Sequence, residues 1–329
     1  MDIIKNISII FTSIFFESVP FLLFGALISS IIETYVSNER IAQMIPKNKV
    51  LGSIVGVFLG FFLPACDCAV IPVSKRLLKK KVPIHVAISF MLASPIINPV
   101  VLLSTYHAFY RTNPSIFWYR LLFGILISLF IGIIMGILFH DKEVIIHDLE
   151  SEEDECHHCF DKEEENDVVH DLVAEFKDSD FDGTCCCHKE QSHHLKNDIL
   201  SICKHTAFDF FEVVKYLMFG AFIASFVQVL LPRNLLLVFH DHQVLSIIVL
   251  MLFAYLVSLC STSDSFVGKS LLSIFQENSI LAYLLLGPMI DIKNTIVLLG
   301  NYKKSFVITL ISLIFVVIFL FSFMMVKIV

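Results

Sequence analysis

The chain has 329 residues, of which 56% are hydrophobic and 17% charged, with 32 phenylalanines; its mean hydropathy is +0.79. This composition excludes a soluble domain with a polar surface. The formal net charge of −7 is uneven, because residues 140–204 hold 20 acidic and 6 basic side chains, a net charge of −14, and the rest carries +7. We therefore predict a polytopic membrane protein with an acidic soluble insert, and no nucleic-acid partner.

Eight apolar windows of about twenty residues follow one another along the chain, each long enough to cross a hydrocarbon core of roughly 30 Å. They cover residues 7–32, 51–73, 84–106, 116–139, 208–231, 245–266, 280–299 and 306–326. The first window has no small-residue cleavage site, which favours a membrane helix over a signal peptide. The predicted fold class is an all-α polytopic membrane protein with about eight transmembrane helices.

A basic cluster after the second window sets the predicted orientation. Short loops rich in lysine and arginine face the cytoplasm, which places the cluster, both chain termini and the acidic insert on the cytoplasmic side of a bacterial plasma membrane. The cluster consists of Lys75, Arg76, Lys79, Lys80 and Lys81. The residues that oppose this orientation, because they would lie outside, are Arg40, Lys47, Lys49, Lys303 and Lys304.

The sequence contains an internal repeat. Nine residues recur at a constant spacing of 195: Phe15-Phe16-Glu17, Val19, Leu22, Phe24-Gly25-Ala26 and Ile28. Later matches pair Cys66 with Cys260 and Asn98 with Asp291. We predict two homologous four-span halves, residues 1–139 and 205–329, joined by an acidic linker, residues 140–204. Four spans in each half make the repeats parallel, whereas a re-entrant segment in each half makes them inverted.

Each half has polar segments that interrupt an apolar window, with proline-broken helices at the repeat interface. The candidate substrate-binding residues in these segments are Cys66, Asp67, Cys68, Asn98, Cys260, Asp264 and Asp291. A charge near the middle of a membrane costs about 2.5–3.5 kcal/mol on insertion scales, which favours a functional role. Discontinuous helices meeting between repeats form the binding sites of many transporters. The alternative is that these segments are helix ends and proline kinks with packing roles.

The ligand chemistry of these segments is soft, because thiolates select Cu(I), Zn(II), Cd(II) or trivalent arsenic over Mg(II) and Ca(II). Cys66 and Cys68 could bind one thiophilic centre, with Cys260 as a third sulfur; the alternative is that a cysteine packs as a small apolar side chain. Glu17 and Glu212 occupy matched repeat positions and are candidates for proton coupling. The alternative for both is a location at the membrane interface.

The acidic linker carries cysteines and histidines at the spacings of a tetrahedral zinc-type site. They are Cys156, His157, His158, Cys159, Cys185, Cys186, Cys187, His188, His193 and His194. The low apolar content predicts disorder without metal. We expect a tether that captures or senses zinc or another soft metal, with no obligatory cofactor, and a merely solvating linker as the alternative. The sequence has no phosphate-binding glycine loop, so it does not encode an ATP-driven pump.

Motifs in both halves resemble the ArsP/YraQ-type family of predicted bacterial permeases. They read Phe-Leu-Pro-Ala-Cys66-Asp67-Cys68-Ala-Val-Ile-Pro72-Val, Ala-Ser-Pro-Ile-Ile-Asn98-Pro-Val, Cys260-Ser-Thr-Ser-Asp264-Ser-Phe-Val and Leu-Gly-Pro288-Met-Ile-Asp291-Ile-Lys-Asn294. The family pattern has glycine where this chain has Ala69. The resemblance covers the membrane body and not the linker. Some members export trivalent organoarsenicals, so the resemblance implies a permease with a thiophilic substrate.

Together these features predict a membrane permease, not an enzyme, that moves a thiophilic metal or metalloid ion through the lipid bilayer. Export is favoured if the linker is cytoplasmic, because a metal-capturing segment there could load the site. Two alternatives stay open: an intramembrane thiol-disulfide oxidoreductase, and a metal-sensing subunit of a larger permease. The expected protein partner is a second copy of the chain or a second permease subunit.

Overall fold

The computed structural model describes residues 2–35, 46, 48–63, 67–139, 144–145, 195–230 and 243–326, and these residues form twelve α-helices. The helices are α1 (Asp2–Tyr35), α2 (Lys49–Phe62), α3 (Asp67–Lys79), α4 (Ile84–Ile97), α5 (Pro99–Phe109), α6 (Ser115–Leu138), α7 (Leu195–Leu230), α8 (Gln243–Val257), α9 (Ser261–Leu271), α10 (Glu277–Met289), α11 (Ile292–Asn301) and α12 (Lys304–Val326). Helix α7 thus begins within the stretch that the sequence assigned to the linker.

Within the described residues, six helical stretches are long and apolar enough to cross a membrane. They are Ile4–Ile31, Ile84–Phe109, Ser115–Leu138, His205–Leu230, Glu277–Asn301 and Lys304–Met325. Two of them are helix pairs, α4–α5 and α10–α11. These stretches coincide with six of the eight predicted windows, and the prediction of an all-α polytopic membrane protein is confirmed.

The two remaining windows, 51–73 and 245–266, each contain two short helices in place of one span. Their apolar helices, α2 and α8, have 14 and 15 residues. At 1.5 Å per residue they are about 21–23 Å long, less than the roughly 30 Å of a hydrocarbon core. A count of eight full spans therefore stays a prediction.

Helices α2 and α3 run in opposite directions along α4. A Cβ atom built on Gly52 of α2 would approach His85, and one on Gly60 would approach Ser94, so α2 runs parallel to α4. Helix α3 joins α4 through residues 80–83 and runs back along it, with Ser74 Oγ 3.7 Å from Met91 Sδ. The two helices therefore form a hairpin whose start and end lie at the same end of α4.

Helices α8 and α9 form a similar hairpin beside α10. A Cβ atom on Gly287 of α10 would lie 2.7 Å from Asp264 Oδ2, and one on Gly268 would approach Leu284, so α9 is antiparallel to α10. Near the end of α8, the hydroxyl of Tyr255 donates a hydrogen bond of 3.1 Å to Thr295 Oγ1, beyond the end of α10. Helix α8 therefore runs towards the carboxyl end of α10, which places the start of α9 near that end.

The long helices α1 and α7 pack against each other in opposite directions. At one end Ser29 Oγ donates to Asp209 Oδ2 at 3.1 Å. At the other end Phe11 packs edge-on against Phe222, with ring centroids 6.3 Å apart. The beginning of α1 therefore lies beside the end of α7, and the end of α1 lies nearer the beginning of α7.

Helices α4 and α10 form the centre of the molecule, because almost every side chain along them is buried. Each continues into a second helix after a polar interruption. Asn98 Oδ1 accepts a hydrogen bond of 3.0 Å from Val100 N at the start of α5, and Asp291 Oδ1 accepts one of 2.6 Å from Asn294 N at the start of α11. Both side chains cap the helix that follows them.

Candidate functional site

A cavity that is partly open to solvent lies where the starts of α3 and α9 approach α1 and α11, with about 290 Å³ of empty space that includes this open part. Its lining includes Glu17, Ser18, Asp67, Cys68, Cys260 and Lys293. Four of the residues singled out from the sequence, two carboxylates and two thiols, thus meet at one cavity. They come from both of the predicted halves.

Three helices begin at this cavity. Asp67 and Cys68 are the first residues of α3, Cys260 is the N-cap residue of α9, and Lys293 lies in the first turn of α11. The first N–H groups of a helix have no partner within the helix and carry a partial positive charge. Three helix N-termini therefore contribute partial positive charge around this cavity.

The turn between α8 and α9 is strained. Ser258 has a φ of 49°, in the left-handed region that residues other than glycine rarely adopt. Such a conformation costs on the order of 1–3 kcal/mol and tends to occur at functional sites. The side chain of Ser258 is buried and lines the cavity. The strained turn therefore places Cys260 at the start of α9, facing the same cavity.

Lys293 joins two buried carboxylates. Its Nζ lies 3.3 Å from Asp67 Oδ2 and 3.4 Å from Asp291 Oδ2, and all three side chains are 5% exposed or less. Buried charges persist in proteins when they are paired and hydrogen-bonded. The sequence analysis identified both aspartates but missed the lysine between them.

Asn294 organises the same cluster and was also missed. Its side-chain nitrogen donates to Asp67 Oδ2 at 3.1 Å, its backbone nitrogen donates to Asp291 Oδ1 at 2.6 Å, and its side-chain oxygen accepts from Cys68 Sγ at 3.7 Å. The signal in the sequence was the polar run Asp291-Ile-Lys-Asn294 inside an apolar window. Asn294 therefore contacts two carboxylates and a thiol through its side chain and its backbone N–H.

The two thiols differ in their surroundings. Cys68 is buried and its Sγ also contacts Ser18 Oγ at 3.9 Å, whereas Cys260 is half-buried with its Sγ 3.4 Å from Thr262 Oγ1. Cys66, the predicted third sulfur, lies outside the described residues. Within the part of the chain that the structure describes, no three His, Cys, Asp or Glu side chains are arranged to hold a metal ion.

A comparison with known protein families identifies the family of the chain. The family model described as a predicted permease, of the ArsP type, matches residues 3–327. The chain belongs to this permease family. The resemblance read from the sequence motifs is thereby confirmed, and a permease is a transport protein, in line with the prediction that the chain is not an enzyme.

Two curated relatives cover most of the permease. This chain is 37% identical over 309 residues to UPF0718 protein YcgR of Bacillus subtilis (strain 168), and the match covers 94% of this chain and 93% of that protein. It is 33% identical over 299 residues to a Streptococcus mutans protein named "Putative two-component membrane permease complex subunit", covering 91% of this chain and 88% of that protein. No solved structure matches the permease.

Two predicted binding residues lie away from the cavity of the permease. Asn98 caps α5, and Asp264 belongs to a second buried cluster in which its Oδ1 accepts a hydrogen bond of 2.9 Å from the hydroxyl of Tyr283. The same cluster contains Arg120, whose Nη1 donates to Thr105 Oγ1 at 2.6 Å and to Ser265 Oγ at 2.8 Å. Arg120 and Tyr283 were not identified from the sequence.

The two predicted proton-coupling residues occupy different surroundings. Glu17 is exposed and lies at the wall of the cavity. Glu212 forms an ion pair with Lys75, which also donates to Asn301 Oδ1 at 3.0 Å. The two glutamates occupy matched positions of the predicted repeat but have different surroundings. Their role in proton coupling stays a prediction.

The predicted linker ligands Cys156, His157, His158, Cys159, Cys185, Cys186, Cys187, His188, His193 and His194 lie outside the described residues. Two residues that precede them, Val144 and Ile145, are described. Lys303 N donates to Val144 O at 2.8 Å, and Ile145 forms an isolated β-bridge with Tyr302. Residues 144–145 therefore lie beside the junction of α11 and α12.

Proposed function

We propose that this permease moves a thiophilic metal or metalloid species, and that the cavity at Asp67, Cys68 and Cys260 is its substrate site. The observation that carries the proposal is that thiols from both predicted halves line one cavity together with a carboxylate. Thiolate sulfur binds soft ions such as Cd(II) and Zn(II) and trivalent arsenic in preference to hard cations. Cys66, two residues before Cys68, supplies a further sulfur in this proposal.

The arrangement of helices supports two inverted halves. Each half would consist of three long spans and one hairpin, α1–α6 in the first half and α7–α12 in the second. An odd number of spans reverses the second half relative to the first, the arrangement in which binding sites form between broken helices. In this proposal the hairpin turns enter the membrane from opposite faces and meet at the substrate site.

This arrangement revises the predicted topology. If α1 and α7 both cross the membrane, their antiparallel packing puts the amino terminus on the face opposite the start of α7. The basic residues Lys75 and Arg76 pair with Glu212 and Asp209, near the start of α7. We therefore propose that the basic cluster and the linker are cytoplasmic and that both termini lie on the outer face, whereas the sequence alone placed all of them in the cytoplasm.

A reporter that is active only in the cytoplasm tests this topology. Inserted in the linker near position 170, it should be active, and fused after position 329, it should be inactive. A reporter active only outside the cytoplasm should give the reverse pattern and serves as the matched control. Cytoplasmic activity at both positions would restore the topology predicted from the sequence and contradict the inverted arrangement.

The proposed direction of transport follows from this topology. A cytoplasmic linker with metal-ligating side chains could deliver soft ions to the inner end of the site, which favours export. Because one relative is named as a subunit of a two-component complex, we propose that a second subunit joins this chain. These two statements are proposals about the same permease and do not change the site.

Replacing Cys68 or Cys260 with serine tests the substrate site. Each substitution should reduce the tolerance of cells to cadmium and arsenite to that of cells without the permease, because a hydroxyl is a poor ligand for thiophilic centres. Cys203→Ser is the matched control, since Cys203 is exposed on α7 and remote in sequence from the hairpin turns. Membrane expression of every variant is measured in parallel by immunoblotting.

The outcomes of this experiment separate the candidate functions. Wild-type tolerance in both the Cys68→Ser and Cys260→Ser variants would contradict the proposed site. A reversible disulfide between Cys68 and Cys260, trapped by alkylation after oxidation and reduction, would instead favour the thiol-disulfide oxidoreductase.

A further inference from the structure

Lys293 lies between a carboxylate at the cavity and a carboxylate behind it. Asp67 lines the cavity, whereas Asp291 is fully buried where it caps α11. The Nζ atom is 3.3 Å from the oxygen of Asp67 and 3.4 Å from that of Asp291. Because the ammonium already contacts both carboxylates, it can withdraw from Asp67 and keep Asp291 with only a small movement of the flexible lysine stem.

The ammonium occupies the space in which a cation attracted to Asp67 would bind. Asp67 is the carboxylate beside Cys68 at the start of α3, so a soft cation held by the thiol would approach the same oxygen atoms. Two positive charges beside one carboxylate repel each other strongly where the dielectric constant is low. The lysine and such a cation therefore compete for Asp67.

We propose that Lys293 is a tethered competitor, which fills the cation position at Asp67 in the empty permease and moves to Asp291 when a cationic substrate binds. The inference rests on the proposed function and names the residue that controls cation entry at that site. Because Asp291 receives the ammonium, the lysine keeps its charge and a carboxylate partner throughout. Lys293 is thus a specificity-determining residue and not a ligand.

The competition distinguishes charged from uncharged thiophilic species. Cadmium enters as a divalent cation and must displace the ammonium from Asp67. Arsenite is an uncharged acid near neutral pH and binds through sulfur, so it leaves Lys293 in place. Removing the charge of Lys293 should therefore strengthen the binding of cadmium without changing that of arsenite.

The binding of Cd²⁺ and of arsenite can be compared by how well each protects the Cys260 thiol from alkylation in the full-length permease. The Cys260 peptide is followed by mass spectrometry at increasing concentrations of Cd²⁺ or arsenite. For Lys293→Gln, the Cd²⁺ concentration that gives half protection should fall by about tenfold or more, because a competing unit charge is removed, while that of arsenite stays the same. Lys293→Arg retains the charge and should not show this gain. Lys269→Gln, an exposed site on α9, is the control and should match the wild type.

Each other result has a defined meaning. Equal Cd²⁺ protection in the wild type and Lys293→Gln would overturn the inference and leave the proposed function standing. An equal change for Cd²⁺ and arsenite would also overturn it, because the lysine would then have only a structural role. If neither probe protects Cys260 in the wild type, the proposed function fails and the inference fails with it.

Discussion

Asp67→Asn should weaken the protection of Cys260 by Cd²⁺ at least tenfold and abolish cadmium tolerance in cells. In the proposed site Asp67 supplies a buried negative charge that attracts a cation, and in the variant Lys293 would lie there without that charge. A unit charge at about 4 Å contributes roughly 4 kcal/mol at an effective dielectric constant of about 20, so a tenfold loss, about 1.4 kcal/mol, is a lower bound. Protection by uncharged arsenite should change much less.

The substitution should leave the fold intact, because asparagine has almost the same size and its carbonyl oxygen can accept the hydrogen bond that Asn294 now donates to Asp67. Glu277→Gln is the control: it neutralises an exposed carboxylate at the start of α10 that does not line the cavity. Cd²⁺ protection in that variant should equal that of the wild type. If Asp67→Asn binds Cd²⁺ as tightly as the wild type, Asp67 has no part in the substrate site.

Part of the site follows from local sequence alone. Asp67, Cys68 and Cys260 interrupt apolar windows at related positions of a repeat, and apolar windows in a membrane tolerate such residues only where they have partners or function. The spacing between the two halves predicted that Cys66 would face Cys260, and Cys66 lies outside the described residues; Cys68, two residues further on, and Cys260 were assigned to the same site. Both thiols do line one cavity.

Other parts depend on contacts that sequence spacing does not reveal. A lysine in an apolar window usually extends its ammonium to the membrane surface, so Lys293 gave no local signal of its partner Asp67, which lies in the other half of the chain. The sequence paired Glu212 with Glu17 for proton coupling and placed Asp264 in the same substrate site as Asp67. Their nearest partners, Lys75 for Glu212 and Tyr283 for Asp264, are instead set by tertiary packing.

Average hydropathy also misses a reversal of chain direction. Window 51–73 is apolar on average and reads as one span, but helix α2 ends at Phe62 and helix α3 begins at Asp67 in the opposite direction. The close approach of Gly52 and Gly60 to α4 fixes the direction of α2. Small residues that permit such contacts are common in membrane helices of every topology, so the hairpin could not be distinguished from a span.

Arg120→Ala should lower the free energy of unfolding of the permease by about 3–5 kcal/mol, the range for removing a large buried side chain or one member of a buried charge network. Arg120 is fully buried and joins Thr105 of α5 to Ser265 of α9. Thermal or denaturant unfolding in detergent measures the loss. Arg111→Ala, at an exposed arginine before α6, is the control and should stay within about 0.5 kcal/mol of the wild type.

A double-mutant cycle with Asp264→Asn separates charge from packing. Among the described residues, Nε and Nη2 of Arg120 and Oδ2 of Asp264 have no hydrogen-bond partner, yet the two groups interact electrostatically. If their opposite charges compensate each other, the double variant should lose about 0.5–3 kcal/mol less than the sum of the single losses. Strict additivity would show that Arg120 stabilises the junction of α5 and α9 through its hydroxyl contacts and packing alone.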